Sequence, residues 1–301
     1  MLIAESSPLF ATLAALARDA RIVFFAGLPG TGKSLLIREL AHLAHARGRR
    51  IHLLQWDVAR PVFEASEAGG RYPLKDGVTH GVIRLAVGRW ARAAVARWHA
   101  DHPDTADLLI GETPFIGHRL IELARRVTDD AEPLLAGPAT RFVIPVPSRE
   151  LRAHLEAERE RRARAPLHPR EREDAPPQVL RALWAELLTA AVALGLIHAV
   201  DADVPYDPIV YRKVYERLLM RRHAEALGLH TVLATDAVSA YDVQVPTVDL
   251  VPEAHEVARF VGEVEARHSD PLALERVIAA WYVDTPFGAP VDSRHRSSNP
   301  S

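Results

Sequence analysis

Apolar and polar residues follow two different periods along the chain. Short apolar runs, such as residues 21–26, 51–55 and 108–111, are typical of strands buried on both faces of a sheet. Between them, apolar residues recur every three or four positions, as expected for helices that present one face to a core. Strands that alternate with helices predict an α/β fold, with a mainly parallel sheet covered on both faces.

The pattern predicts five strands and a longer series of helices. The strands are residues 21–26, 51–55, 108–111, 141–146 and 230–235. Helices are predicted from Pro8 and over 35–47, 80–99, 148–165, 178–194 and 207–227, with two more near 253–268 and 271–281. The segment 61–81 is rich in Gly and Pro, which favours loops. We expect a single domain over residues 1–288, with extra C-terminal helices, and a flexible tail over 289–301.

The composition limits the available chemistry. The 301 residues include 37 Lys and Arg, of which only three are Lys, against 39 Asp and Glu, and no Cys. The absence of Cys excludes a thiol nucleophile, a disulfide framework and a Cys-ligated metal centre. A net charge of -2 argues against a polycation that acts on DNA. Without a long apolar run or a basic signal-peptide start, we expect a cytoplasmic protein that does not enter the membrane.

Residues 27–34 read GLPGTGKS and match the pattern G-x-x-x-x-G-K-[ST] in full. Its glycines let successive backbone N–H groups point at phosphate oxygens, and the N-terminus of the helix that follows favours anions. Lys33 then supplies positive charge for the β- and γ-phosphates of ATP, and the Ser34 hydroxyl ligates Mg²⁺. The predicted nucleotide-binding residues are Gly27, Pro29, Gly30, Thr31, Gly32, Lys33, Ser34 and Leu35.

With an apolar strand before it and a periodic helix after it, this motif resembles the P-loop NTPase superfamily. The resemblance covers about residues 21–47 and implies a three-layer α/β/α sandwich. GTPases of that superfamily read guanine with an Asn-Lys-x-Asp motif, but the single asparagine of this chain is Asn299, in the tail. Motor ATPases normally carry an acidic pair after the third strand, where this chain has Glu112 alone.

The second strand runs into Asp57-Val58-Ala59-Arg60. This D-x-x-R resembles the acceptor site of small P-loop kinases, the group of polynucleotide kinases, adenylylsulfate kinases and zeta-toxin-like kinases. The resemblance implies that Asp57 orients the acceptor hydroxyl and takes its proton, and that Arg60 holds acceptor or phosphate groups. An ordinary ion pair at a strand end is the other interpretation of these two residues.

Glu112 ends the third predicted strand, at the edge of the sheet where ligands gather. We predict that it acts on Mg²⁺ or on water bound to Mg²⁺. Alternatively, it is a helix N-terminal carboxylate that complements the helix dipole.

An Arg-rich helix follows the fourth predicted strand. Kinases of this group carry an arginine-bearing lid at that place, which implies that the segment of about 148–177 closes over the phosphates. Arg159 and Arg162 have the spacing that lets two side chains face one ligand. The interleaved glutamates equally fit a solvated, salt-bridged helix.

Together these residues predict ATP- and Mg²⁺-dependent transfer of a phosphoryl group to a hydroxyl of a small molecule, such as a nucleoside, nucleotide or sugar. The first alternative is a regulatory or partner-binding ATPase, which should bury Asp57 and Arg60. The second is a polynucleotide 5′-hydroxyl kinase, which needs a basic groove leading to Asp57. The nearest candidates for such a groove are Arg71, Lys75 and Arg84. The near-neutral net charge favours a small molecule over nucleic acid.

Overall fold

One sheet organises the chain. The computed structural model describes residues 2–172, 174–198, 204–233, 235 and 238–283, so the predicted tail at 289–301 lies outside the described residues. Its strands are β1 (Ile22–Ala26), β2 (Arg50–Leu54), β3 (Asp107–Thr113), β4 (Thr140–Pro147), β5 (Ala224–Leu229) and β6 (Thr247–Asp249). All neighbouring strands are parallel, in the order β5-β4-β1-β3-β2-β6.

The α-helices connect these strands and extend the chain beyond them. They are α1 (Pro8–Asp19), α2 (Lys33–His45), α3 (Trp56–Glu64), α4 (Glu67–Arg71), α5 (Gly81–Asp101), α6 (Glu132–Leu135), α7 (Arg149–Arg164), α8 (Pro177–Ala193), α9 (Pro208–Leu218), α10 (Ala254–Arg267) and α11 (Pro271–Ala279). Short 3₁₀ turns lie at Ile121–Leu123 and Pro169–Arg172. No helix in the described part of the chain is long and apolar enough to cross a membrane.

The sheet separates two apolar cores. Val23 and Phe25 of β1 pack into one core with α1 and α2. Phe24 and Ala26 pack into the other, which is built mainly from α3, α5 and α8 to α10. Helices therefore cover both faces, and the central position of β1 explains why its whole apolar run is buried. The predicted α/β class and parallel sheet are confirmed.

The strand prediction is wrong in the C-terminal part of the chain. The described residues form six strands, one more than the five predicted. Residues 207–227 do not form one helix, because α9 ends at Leu218 and β5 begins at Ala224. The predicted strand at 230–235 is wrong, because the strand in this part of the chain is β5, which ends at Leu229. The sequence of β5, AEALGL, contains good helix formers, and its pairing with β4 along six residues overrides that local preference.

The predicted loop at 61–81 is also partly wrong. It contains the last turn of α3 and all of α4, whose first turn is capped by the Ser66 hydroxyl, which accepts a hydrogen bond from the Ala68 N–H at 3.2 Å. Because α3 already begins at Trp56, Asp57 lies in the first turn of a helix and not at the tip of β2. This helix sets the direction in which Asp57 and Arg60 project.

Candidate functional site

A Gly-rich loop, residues 27–32, connects the carboxyl end of β1 to α2. Gly30 and Gly32 have φ angles of +77° and +86°, a left-handed conformation that glycine adopts without strain. Helix α2 begins at Lys33, and Gly32 before it offers no capping side chain. The N–H groups of the first turn of α2 therefore suit a bound anion.

Lys33 is the buried cation of this loop. It is 6% exposed, and its Nζ donates a hydrogen bond to the Leu28 carbonyl at 2.9 Å, the same carbonyl to which Thr31 Oγ1 donates. Burial lowers the pKa of Lys33 to about 8, and the nearby Glu112 carboxylate opposes that shift. Burial also raises the pKa of Glu112, against the pull of Lys33. Lys33 and Glu112 therefore each shift the pKa of the other within the same site.

A cleft of about 440 Å³ opens beside the loop. It gathers side chains from seven segments of the chain, and most of the predicted site residues line it. Those residues are Pro29, Gly30, Gly32, Lys33, Ser34, Leu35, Asp57, Arg60, Glu112, Arg159 and Arg162. The other two predicted residues, Gly27 and Thr31, are buried residues of the loop and do not line the cleft.

Asp57 and Arg60 lie one helical turn apart on α3. The Asp57 side chain is 57% exposed, and its Oδ1 atom is 3.9 Å from Arg60 Nη2. Arg60 is held more closely by Glu64, whose Oε2 accepts a hydrogen bond from Arg60 Nη1 at 2.7 Å. The arginine is thus anchored by Glu64, and the Asp57 carboxylate remains accessible from the cleft.

The two predicted lid arginines differ in their partners. Arg162 donates hydrogen bonds to Glu158 Oε1 at 2.7 Å and to the Thr235 carbonyl at 2.5 Å, so its charge is used within the protein. Arg159 binds the Asp174 carboxylate, but its buried Nη1 has no hydrogen-bond partner among the described residues. Of the two, Arg159 is the one with a donor left for a ligand.

Arg152 on α7 fixes the Gly-rich loop from outside the cleft. Its Nη1 donates to the Pro29 carbonyl at 2.7 Å, and its Nε binds Glu156 Oε1 at 2.5 Å. A Cβ on Gly30 would lie 3.3 Å from Arg152 Nη1, so the glycine leaves room for this contact. No sequence signal separates Arg152 from the other arginines of α7, because its partner lies more than a hundred residues away.

The segment 114–120, which follows β3, forms another wall of the cleft. Three of its non-glycine residues, Phe115, His118 and Leu120, have φ angles of 61°, 63° and 62°. Such conformations are costly for residues with a Cβ, and they cluster at functional sites. Arg119 lies within this segment and lines the cleft.

Arg119 is a cation that the sequence did not single out. Its Nη1 donates to the Ile116 carbonyl at 2.9 Å. Burial lowers the pKa of Arg119, and the charges of Glu186 and, less strongly, Asp57 oppose this shift. Arg119 therefore lines the same cleft as Asp57 and Arg60.

The three residues proposed for a nucleic-acid groove do not line this cleft. Arg71 binds Glu265 at 3.0 Å, on the surface of α10. Arg84 donates to the carbonyls of Thr79 and Gly117, both at 2.7 Å, and so supports the segment 114–120 from behind. Lys75 lies in a turn, where its backbone pairs with Val78.

The oxygen donors of the cleft suit a hard cation held together with phosphate. Ser34 offers a hydroxyl and Glu112 a carboxylate. Across the described residues, no group of three or more His, Asp or Glu side chains could hold a metal ion. Mg²⁺ in phosphoryl-transfer sites is bound through one or two protein oxygens together with substrate phosphates, so these two residues fit that ion.

Comparison with models of known protein families and with curated proteins finds no match for this chain. Function is therefore inferred from the chemistry of the cleft, since a fold alone does not specify an activity.

Replacing Gly27 with Ala should destabilise the protein. A Cβ there would lie 2.3 Å from Oη of Tyr211, which is fully buried and has no space to withdraw. Overpacking of this kind should lower the free energy of unfolding by about 1–3 kcal/mol, measured by denaturant titration.

The double variant Gly27→Ala with Tyr211→Phe tests the cause of that loss. Phenylalanine lacks the oxygen that the new methyl group would meet, so part of the lost stability should return relative to Tyr211→Phe alone. An equal loss in both backgrounds would show that the contact with Tyr211 is not what requires glycine.

Proposed function

We propose that the protein is an ATP- and Mg²⁺-dependent phosphotransferase of the P-loop kinase type, which moves the γ-phosphoryl group to a hydroxyl of a small molecule. The observation that carries this proposal is that the exposed Asp57 carboxylate and the Lys33–Ser34 end of the Gly-rich loop line the same cleft. Direct transfer needs the acceptor oxygen in line with the γ-phosphate and a group that takes its proton. One cleft that holds both groups supports such a transfer.

On the nucleotide side, the chain would bind and position phosphate. The N–H groups of the Gly-rich loop and of the first turn of α2 would hold the β- and γ-phosphate oxygens. The Lys33 ammonium would exchange its bond to the Leu28 carbonyl for a phosphate oxygen. Mg²⁺, held by Ser34 and Glu112, would neutralise charge that develops on the phosphates. The unpaired Nη1 of Arg159 would act on the transferred group.

On the acceptor side, Asp57 would accept the proton of the attacking hydroxyl. It can do so because it is exposed to the cleft and not closely paired with Arg60. Arg60 and Arg119 would then bind an anionic group elsewhere on the acceptor, since guanidinium groups grip phosphate and carboxylate through paired hydrogen bonds. This favours a phosphorylated or carboxylated acceptor, such as a nucleotide or a sugar phosphate, over a neutral one.

Arg119→Ala should weaken acceptor use without changing nucleotide affinity. Loss of one hydrogen bond to a charged group is expected to lower kcat/KM for an anionic acceptor about tenfold to a hundredfold. Steady-state kinetics with varied acceptor at saturating ATP measures this effect. An unchanged kcat/KM for the acceptor would remove Arg119 from the site.

Nucleotide affinity should fall as the pH rises past about 8, the pKa of Lys33 in the free protein. Below that pH the ammonium is already present, so phosphate binding requires no proton. Above it the free protein holds a neutral amine, and binding must take up a proton, so Kd should rise by up to about tenfold per pH unit. Nucleotide titrations between about pH 6.5 and 9.5 check this, and a constant Kd over that range would contradict the role of Lys33.

Two observations weigh against the alternatives. A regulatory ATPase should bury Asp57 and Arg60, but more than half of the Asp57 side chain is exposed. A polynucleotide kinase should lead a basic groove to Asp57, but Arg71, Lys75 and Arg84 do not line the cleft. Both observations favour transfer to a small molecule.

The proposal is tested by ADP formation in the presence of a panel of hydroxyl compounds, each neutral compound matched with its phosphorylated form. A kinase should form ADP much faster with one class of acceptor, and faster with the phosphorylated member of the pair. ADP formation that is independent of every acceptor but stimulated by a protein partner would favour the regulatory ATPase instead.

A further inference from the structure

Arg159 is held in the cleft by a single carboxylate. Its Nη2 donates a hydrogen bond to Asp174 Oδ1, and its buried Nη1 has no hydrogen-bond partner among the described residues. Burial lowers the pKa of Lys33, Glu112 opposes this shift, and the positive charge of Arg159 adds to it. The Arg159 guanidinium group therefore lies within electrostatic range of the lysine proposed to bind the phosphates.

A tyrosine hydroxyl shares the same carboxylate oxygen. Tyr241 Oη donates a hydrogen bond at 2.5 Å to Asp174 Oδ1, the atom that Arg159 also binds. The Asp174 side chain is 11% exposed and that of Arg159 is 18% exposed, so water competes little for these bonds. Burial raises the pKa of Tyr241, and the charge of Asp174 adds to this shift, so the hydroxyl keeps its proton and remains a donor. One oxygen atom therefore joins Tyr241 to Arg159.

Tyr241 belongs to the segment 239–244, which is tied to the helix of the proposed phosphate site. Arg38 on α2 is 2% exposed, and its Nε donates to the Asp242 carbonyl at 3.1 Å. Its Nη2 donates to Gln244 Oε1 at 3.0 Å. Because α2 begins where the Gly-rich loop ends, these bonds fix the position of Tyr241 relative to that loop.

Arg159, in contrast, lies on α7. A long arginine side chain has many rotamers, so a guanidinium group that must meet developing charge needs partners that fix it in advance. Asp174 is one such partner, and Tyr241 is the group that connects Asp174 to the segment held by α2.

We propose that Tyr241 is a positioning residue for Arg159. Acting through Asp174, it would hold the guanidinium group so that the unpaired Nη1 meets the phosphoryl group during transfer. This inference rests on the proposed function, and it adds to the site a residue that the sequence did not single out.

The test uses ADP with aluminium fluoride and Mg²⁺, a mimic of the phosphoryl group in transit, and compares it with Mg²⁺-ADP alone by calorimetry. Tyr241→Phe should bind ADP as wild type does. It should bind the fluoride complex about tenfold more weakly, because a slightly misplaced group loses much of its effect on the transition state.

The same substitution in an Arg159→Ala background shows whether Tyr241 acts through Arg159. Arg159→Ala alone should weaken the fluoride complex about a hundredfold, and Tyr241→Phe should then cause no further loss. A residue that only supports the fold would weaken both ligands in both backgrounds. Thermal melting confirms that each variant is folded.

Tyr72→Phe is the matched control. Tyr72 Oη donates to Glu265 Oε1 at 2.9 Å, and the same oxygen lies 3.0 Å from Arg71 Nη2. The control thus removes a tyrosine hydroxyl from the same kind of three-residue cluster, and none of its three residues lines the cleft. Tyr72→Phe should bind ADP and the fluoride complex as wild type does, and an equal loss in this variant would overturn the proposal.

The outcomes separate this inference from the proposed function. If wild type prefers the fluoride complex to ADP but Tyr241→Phe binds it equally well, or weakens it equally with and without Arg159, the positioning role is overturned and the proposed function stands. If wild type has no preference for the fluoride complex over ADP, both are overturned.

Discussion

Replacement of Lys33 with methionine should nearly abolish ATP turnover while leaving the protein folded. Methionine retains the length of the buried side chain but removes the cation that would act on the phosphates. Loss of such a preorganised group typically costs about 10²–10³-fold in kcat. Folding should survive because Glu112, whose pKa burial already raises, can take up a proton when its cationic neighbour is removed.

Lys213→Met is the control for this variant, since Lys213 is an exposed lysine on α9. It should keep wild-type turnover. ATP turnover, nucleotide affinity and thermal melting are measured for both variants. Wild-type turnover in Lys33→Met would contradict the assignment of the Gly-rich loop as the phosphate site.

Asp57→Asn should impair phosphorylation of the acceptor while leaving nucleotide binding intact. Asparagine keeps the shape of the side chain but cannot accept a proton from the acceptor hydroxyl. Phosphorylation of the acceptor should fall by about 10²–10⁴-fold, the usual contribution of a general base. Nucleotide affinity should change little, because Asp57 lies on α3 and not on the Gly-rich loop.

Asp76→Asn is the control variant. Asp76 is an exposed carboxylate between α4 and α5, and it does not line the cleft. It should leave both transfer and nucleotide affinity unchanged. Equal losses of nucleotide affinity and of transfer in Asp57→Asn would mean that Asp57 supports the fold of the cleft and not the acceptor chemistry.

The part of the site that could be predicted from sequence is the part that is local in the chain. Residues 27–34 are contiguous, and the flanking elements β1 and α2 have strong apolar periods, so their placement follows from short-range physics alone. Glu112 lies near the end of β3 and Asp57 follows β2, and the carboxyl ends of these two strands meet at one edge of a parallel sheet. This property of parallel sheets explains why both residues line the cleft, although Asp57 lies on a helix.

The rest depends on contacts between distant residues. Arg119 lines the cleft because the segment 114–120 takes up backbone conformations that residues with a Cβ do not favour, and no pattern in the sequence indicates them. Arg152 is recognisable only through its bond to the Pro29 carbonyl. Similarly, Arg159 and Arg162 are alike in sequence, and only their partners Asp174 and Thr235 distinguish them.

The strands β5 and β6 could not be predicted from sequence for the same reason. β5 has a composition that favours helix, and β6 has only three residues, so both exist through pairing with β4 and β2. A strand stabilised by its neighbours leaves little trace in its own sequence.

The most direct test of the central proposal is transfer of label from γ-labelled ATP to an acceptor. Wild-type protein and Asp57→Asn are incubated with Mg²⁺ and a pool of phosphorylated and carboxylated hydroxyl compounds, and labelled products are separated from labelled phosphate. The proposal predicts a labelled acceptor in the wild-type reaction that is nearly absent with Asp57→Asn, although both proteins bind ATP. Label that appears only as inorganic phosphate, at the same rate in both proteins, would contradict it.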